Sequence, residues 1–266
     1  MNRAEIYTFL SVVEGNGAKY CATNFAYEIK KKNPKAKIAL VDFDFYHPYL
    51  CALQTARDQF HGIDNLLDKI SSGTLNELLF KENMIRIEGC FDVLKGTRKI
   101  GRENLILREH ILQSLEFLRE LYDYVLVVVS SRNDNAGTIY GLNQSDKVVI
   151  VLRNNYANLY NFERVVEICK KFVSKSDIPL YTIYNMSSEK DAYDSFTKII
   201  NENKLQPLGA LEYEPKTVDN SNIGTQAINL GKAGALTDKI FSKQAPKNTK
   251  TIENAVNILL QLNEHE

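Results

Sequence analysis

Glu14-Gly15-Asn16-Gly17-Ala18-Lys19 is a short polar turn set between an apolar run and a segment of helical periodicity. A strand that breaks into a glycine-containing turn and re-emerges as a helix aims several backbone N–H groups at one spot, which favours an anion such as a nucleotide phosphate. Gly15, Asn16, Gly17, Ala18, Lys19 and Tyr20 are therefore candidate cofactor-binding residues. Lys19 has two readings, a displaced phosphate clamp or a solvated lysine beside a turn. Asp42 and Asp44 close the run Lys37-Ile38-Ala39-Leu40-Val41, and the C-terminal ends of strands are where open parallel sheets bind ligands. Asp42 is the candidate catalytic residue, orienting a water or a metal-bound water. The alternative for it is a structural role at the strand end, such as capping the glycine turn. Asn185 follows another strand, where it either reads an adenine edge or forms an ordinary turn. His47, beside Pro48, and His61, before Gly62, lack metal-ligand spacing and read as surface residues.

The elements that must position these groups alternate between strand and helix. Ile6–Val13 is a nearly continuous apolar strand, as expected where both faces of a parallel sheet are covered. Cys21–Lys32 places Ala22, Phe25, Ala26 and Ile29 at helical spacing, ends in three lysines and stops at Asn33-Pro34. With Lys37–Val41 this closes a βαβ unit. Two short helices are expected between Gly62 and Lys81, broken at Ser71-Ser72-Gly73. Phe91–Leu94 reads as a strand, Lys95–Arg102 as a basic loop, Glu103–Leu121 as a helix and Tyr122–Val129 as the most strand-like segment of all. Ser130–Ser145 reads as a polar loop. Strand Asp146–Leu152, helix Leu159–Val173, strand Leu180–Tyr184 and strand Pro207–Leu211 follow. Lys216–Lys250 reads as loop and short helix, and Thr251–Leu262 as a closing helix. The pattern predicts an α/β fold, a doubly wound and mostly parallel sheet with helices on both faces, in one domain over residues 1–266.

With 44% apolar residues in 266, the chain can bury a large core. Lysine plus arginine, 33, balances aspartate plus glutamate, 33, so no global field draws it to nucleic acid or an anionic membrane. Cys21, Cys51, Cys90 and Cys169 have neither CxxC spacing nor the density of a disulfide scaffold. A cytoplasmic protein without an integral membrane segment is expected.

Four stretches resemble the deviant P-loop ATPases of the ParA/MinD type, and within them the CpaE/TadZ-like branch tied to pilus and secretion machinery. Val13-Glu14-Gly15-Asn16-Gly17-Ala18-Lys19 with Ala22-Thr23-Asn24-Phe25-Ala26 is similar to that family's phosphate turn and helix. Val41-Asp42-Phe43-Asp44 is like its second strand, Tyr122-Asp123-Tyr124-Val125 like its Walker B strand, and Asn185 with Tyr213-Glu214-Pro215 like the segments surrounding adenine, so Pro215 joins the candidates. The resemblance implies a P-loop NTPase-like fold and face-to-face homodimers. Aligned from Asn24-Phe25-Ala26, the phosphate-clamping lysine falls on Ala18, the magnesium-binding hydroxyl on Lys19, the signature lysine on Val13 and the Walker B carboxylate on Val128. Phosphoryl transfer rests on positioning and charge stabilisation, so these losses remove many orders of magnitude in rate. The implied function is a degenerate scaffold for a pilus, secretion or conjugation apparatus, binding ATP or ADP weakly or not at all and without Mg. Two alternatives stay open: a working partition or positioning ATPase in which Lys19 and Asp42 compensate, and a nonspecific DNA-binding adaptor using Lys95–Arg102, for which a solvated loop is the other reading; nucleic acid is thus a possible partner but not the favoured one. The last helix lacks the lysine-rich face of a membrane-targeting tail and is expected to dock on the sheet.

Overall fold

The computed structural model describes residues 3–50, 61–87, 89–188, 194–213 and 248–261. Among them the chain runs β1 (Glu5–Ser11), α1 (Ala18–Lys32), β2 (Ile38–Phe43), α2 (Leu67–Ser71), α3 (Glu77–Glu82), β3 (Ile85–Ile87), β4 (Phe91–Leu94), α4 (Arg108–Leu121), β5 (Tyr124–Val129), α5 (Ala136–Asn143), β6 (Lys147–Leu152), α6 (Tyr156–Phe172), β7 (Leu180–Ser187), α7 (Asp194–Glu202), β8 (Gln206–Glu212) and α8 (Thr249–Gln261). The strands form one sheet in the order β3-β4-β2-β5-β1-β6-β7-β8. All neighbours are parallel except β3, which pairs antiparallel with β4. This is the doubly wound α/β fold that the alternating pattern predicts.

Burial on both faces explains the unbroken apolar runs. Along β5, Val125, Val127 and Val129 enter one core with Ile111, Leu115, Leu118 and Phe162. Leu126 and Val128 enter the other, with Phe9, Phe25, Ile29, Val256 and Leu259. Phe9 and Phe25 meet edge to face at 5.3 Å, a geometry adding about 0.5–1.5 kcal/mol beyond area burial. The terminal helix α8 docks on the second face as expected, with Ala255, Val256 and Leu259 buried. Lys147 Nζ donates to the Leu259 carbonyl at 2.7 Å. No helix among the described residues is long and apolar enough to cross a membrane.

Several boundaries differ from the sequence expectation. Helix α1 begins at Ala18 rather than Cys21, which brings Lys19 and Tyr20 into its first turn. The expected loop Ser130–Ser145 contains α5, whose N-terminus is capped by Asn135 Oδ1 accepting from the Thr138 amide at 2.9 Å. The three-residue strand β3 was not expected, and the segment before α4 holds a 3-10 turn, Arg102–Leu105. The expected loop and short helix over residues 216–250 lie almost wholly outside the described residues.

Candidate functional site

The turn between β1 and α1 is built from local hydrogen bonds and two left-handed glycines. Asn16 N–H donates to the Val13 carbonyl at 3.2 Å, and Cys21 N–H donates to the Gly17 carbonyl at 2.9 Å to open the helix. Gly15 has φ +84° and Gly17 φ +97°, values a side chain strains. At Gly17 a Cβ would in addition collide with Asn185 Nδ2.

A set of buried asparagines pins this turn from outside. Asn185 Nδ2 donates to the Asn16 carbonyl at 2.7 Å. Asn16 Nδ2 donates to Asn158 Oδ1 at 2.5 Å. That same oxygen accepts the Arg153 amide at 3.1 Å, and Asn155 caps α6 by accepting from Asn158 N–H at 2.9 Å. Each such bond contributes about 1 kcal/mol net and would cost more if its buried partner were stranded. Asn185 is thus not at a strand exit: it lies inside β7, buried, with its amide spent on the turn.

Lys19 is not solvated. Its ammonium lies 2.5 Å from Asp44 Oδ2 and 3.5 Å from Asp42 Oδ1, with the Tyr49 ring centroid 4.6 Å away. Lys19 is 3% exposed and Asp42 0%, so water screens this cluster little. Burial alone would lower the lysine's pKa, but the carboxylates of Asp42 and Asp44 together outweigh it and hold the ammonium above its ordinary value. Burial pushes the Asp42 carboxyl up to about 6, against the pull of Lys19 and of two backbone amides. Those amides belong to Leu50, donating to Oδ2 at 2.9 Å, and Asp44, donating to Oδ1 at 3.3 Å. The structural role of Asp42 is therefore to cap the loop 44–50 and not the glycine turn.

Around this cluster lies a cavity of about 260 Å³ lined by Gly15, Gly17, Ala18, Lys19, Tyr49 and Val128, among others. Glu14 and His47 stand at its mouth with His47 Nε2 3.6 Å from Glu14 Oε2; His47 and His61 are exposed, as expected of them. A neighbouring space of about 380 Å³ shares Glu14 and Ser131 and reaches Arg132 and Arg164. Val128 pairs in register with Asp42 across β2 and β5, so an apolar side chain holds the position directly opposite the carboxylate. Among the described residues no group of three or more His, Cys, Asp or Glu is placed to hold a metal ion.

The structure thus brings Gly15, Asn16, Gly17, Ala18, Lys19, Asp42 and Asn185 to one place. Tyr20 packs instead against the core beside α1, and Pro215 lies outside the described residues. Sequence reasoning missed Tyr49, Asn158 and the dominance of Asp44 as the lysine's partner. Only Asn155-x-x-Asn158 after a strand carried a signal, that of a helix N-cap. The Lys95–Arg102 segment is not a uniformly solvated basic loop: Lys95 is 7% exposed, its carbonyl accepts the Ile63 amide at 2.9 Å, and Arg102 lies 3.9 Å from Asp64. Arg98 and Lys99 are the cations it exposes.

Comparison of the sequence with protein-family models and with curated proteins finds no match. Solved structures do share the fold. A ParA family ATPase from Chlorobium tepidum TLS superposes with a TM-score of 0.79 at 18% identity, covering 96% of this chain and 98% of that one. The septum site-determining protein MinD of Pyrococcus horikoshii OT3, complexed with Mg-ADP, gives 0.72 at 14% identity over 98% and 97%. The MinC:MinD cell division protein complex of Aquifex aeolicus gives 0.70 at 17% over 97% and 96%.

The residues present do not fit a magnesium nucleotide. Lys19, the turn's one cation, is engaged by two carboxylates, Glu14 adds a third among the residues lining the cavity, and the position opposite Asp42 is apolar. Each charge-assisted hydrogen bond lost to a phosphate forfeits about 1.5–3 kcal/mol.

Proposed function

We propose that this chain is a non-hydrolysing protein of the ParA/MinD fold that works as a homodimeric localisation scaffold, of the CpaE/TadZ-like kind, for a pilus, secretion or conjugation apparatus. The observation that carries this reading is the engagement of Lys19 by Asp42 and Asp44 at a turn that lacks any other cation. A phosphoryl-transfer site needs its positive charge facing the γ-phosphate; here the available charge faces the protein. Supporting the scaffold role, a protein of this fold in Aquifex aeolicus assembles with a partner, MinC. The fold's paired surface around the turn would serve this chain as a standing interface.

The test is isothermal titration with ATP and with ADP in the presence of Mg²⁺, alongside a phosphate-release assay. The expected result is no binding tighter than about 1 mM and no release above the protein-free blank. Brisk Mg²⁺-dependent release would overturn the reading in favour of a working partition or positioning ATPase. That alternative requires Lys19 to leave Asp44 and meet phosphate, so Lys19→Ala would then abolish nucleotide binding.

A further inference from the structure

We propose that the Lys19 ammonium is a built-in substitute for a divalent cation, tying the first turn of α1 to the end of β2 without metal or nucleotide. This rests on the non-hydrolysing reading and adds to it a reason for the state of the site. Asp42 and Asp44 approach one point from the β2 side, at 3.5 and 2.5 Å from Nζ, and both side chains are largely withdrawn from water. Two carboxylates so placed need either a cation between them or a proton on one, since like charges this close cannot both stay ionised otherwise. Oxygen ligands of this kind suit Mg²⁺ or Mn²⁺ at about 2.0–2.2 Å. An ammonium already within hydrogen-bond reach of Asp44 fills that volume and repels a second positive charge.

The replacement has a mechanical consequence. A metal ion can dissociate, whereas the ammonium is covalently part of α1. The loop after β2 is organised around it: Leu50 N–H is held by Asp42, His47 N–H donates to Asp44 Oδ1 at 3.3 Å, and the Tyr49 ring lies over Nζ. The surface made by the glycine turn and this loop is therefore fixed in one arrangement, independent of ligand, which is what a permanent scaffold needs and a nucleotide switch must avoid.

Mn²⁺ titration of the full chain without nucleotide, followed by electron paramagnetic resonance and thermal melting, tests this apart from any question of hydrolysis. The wild-type chain is expected to show no saturable Mn²⁺ site. Lys19→Ser is expected to gain one Mn²⁺ per chain, bound at least about tenfold more tightly than any wild-type binding, with a melting temperature that rises with Mn²⁺. Lys19→Ser combined with Asp44→Asn is expected to lose it again. A wild-type chain that binds one Mn²⁺ as tightly as the variant, or a folded Lys19→Ser that binds none, overturns the proposal. Should Lys19→Ser not fold, reductive methylation of the wild-type chain decides: Lys19 unmodified in both the absence and presence of millimolar Mg²⁺ supports the proposal, and Lys19 becoming modified when Mg²⁺ is added refutes it.

Discussion

At the level of single residues, the site is dominated by one electrostatic arrangement whose pH dependence has a definite sign. Asp42 titrates in the fold at about 6, above its ordinary value, because burial disfavours its ionised form more than Lys19 favours it. A raised carboxyl contributes stability that is complete below the unfolded pKa and is lost as pH climbs through the folded one. Removing the ammonium takes away the pull that lowers this carboxyl, so its folded value moves still higher and the loss on ionisation grows. Lys19→Met is therefore expected to be destabilised at both pH 5 and pH 8 because it strands Asp44, the lysine's nearer partner, and by more near pH 8, where Asp42 is ionised as well and the total reaches about 3–5 kcal/mol, the cost of an uncompensated buried charge. Urea melts of both chains at the two pH values check this. A destabilisation equal at pH 5 and pH 8 would mean that the charge on Asp42 plays no part in it.

At the level of elements, the strands were legible because burial on both faces leaves apolar runs that no helix period explains, as in Tyr124–Val129. The turn between β1 and α1 was legible from its glycines, and its electrostatics were not, because the distance from Lys19 to Asp44 depends on where α1 begins. Starting the helix at Ala18 rather than Cys21 turns Lys19 toward β2. The polar, turn-forming composition of Ser130–Ser145 hides helix α5, in which Gly137 and Gly141 also weaken local helix propensity. Tertiary packing overrides that: a Cβ at Gly137 would lie 2.5 Å from the Phe43 carbonyl, and one at Gly141 2.8 Å from Val129 Cγ1. These glycines let a helix approach the sheet closely. The same logic is most demanding at Gly17, where a positive φ coincides with the side chain of Asn185. Gly17→Ala is expected to cost about 1–3 kcal/mol and to break the bond from Asn185 to the Asn16 carbonyl. Gly15→Ala, with open space around it, is expected to cost less. Paired denaturation curves would show this ordering, and a reversal would mean that the turn is not pinned by β7.

At the level of the whole molecule, the site depends on a helix that lines neither of its two cavities. Helix α1 carries Lys19 at its start and buries Phe25 and Ile29 lower down, and α8 closes that same face with Val256 and Leu259. Lys147 ties α8 to the sheet through the Leu259 carbonyl, and Lys32 at the end of α1 lies 3.5 Å from Glu253 on α8. The position of the ammonium is thus set partly by packing at the opposite end of α1, in an interior too dense to deform gradually. Leu259→Ala, at a side chain 1% exposed, is expected to cost about 2–5 kcal/mol. Because α8 shares one core with α1 and the central strands, this loss should lower the urea midpoint of a single transition with an unchanged m-value. Hydrogen exchange at the Leu50 amide, held by Asp42, should report that transition at the same midpoint as far-ultraviolet circular dichroism. If instead α8 detaches in an earlier step while the loop 44–50 stays intact, then the turn and its ion cluster hold without the terminal helix, and the coupling from end to end of α1 is absent.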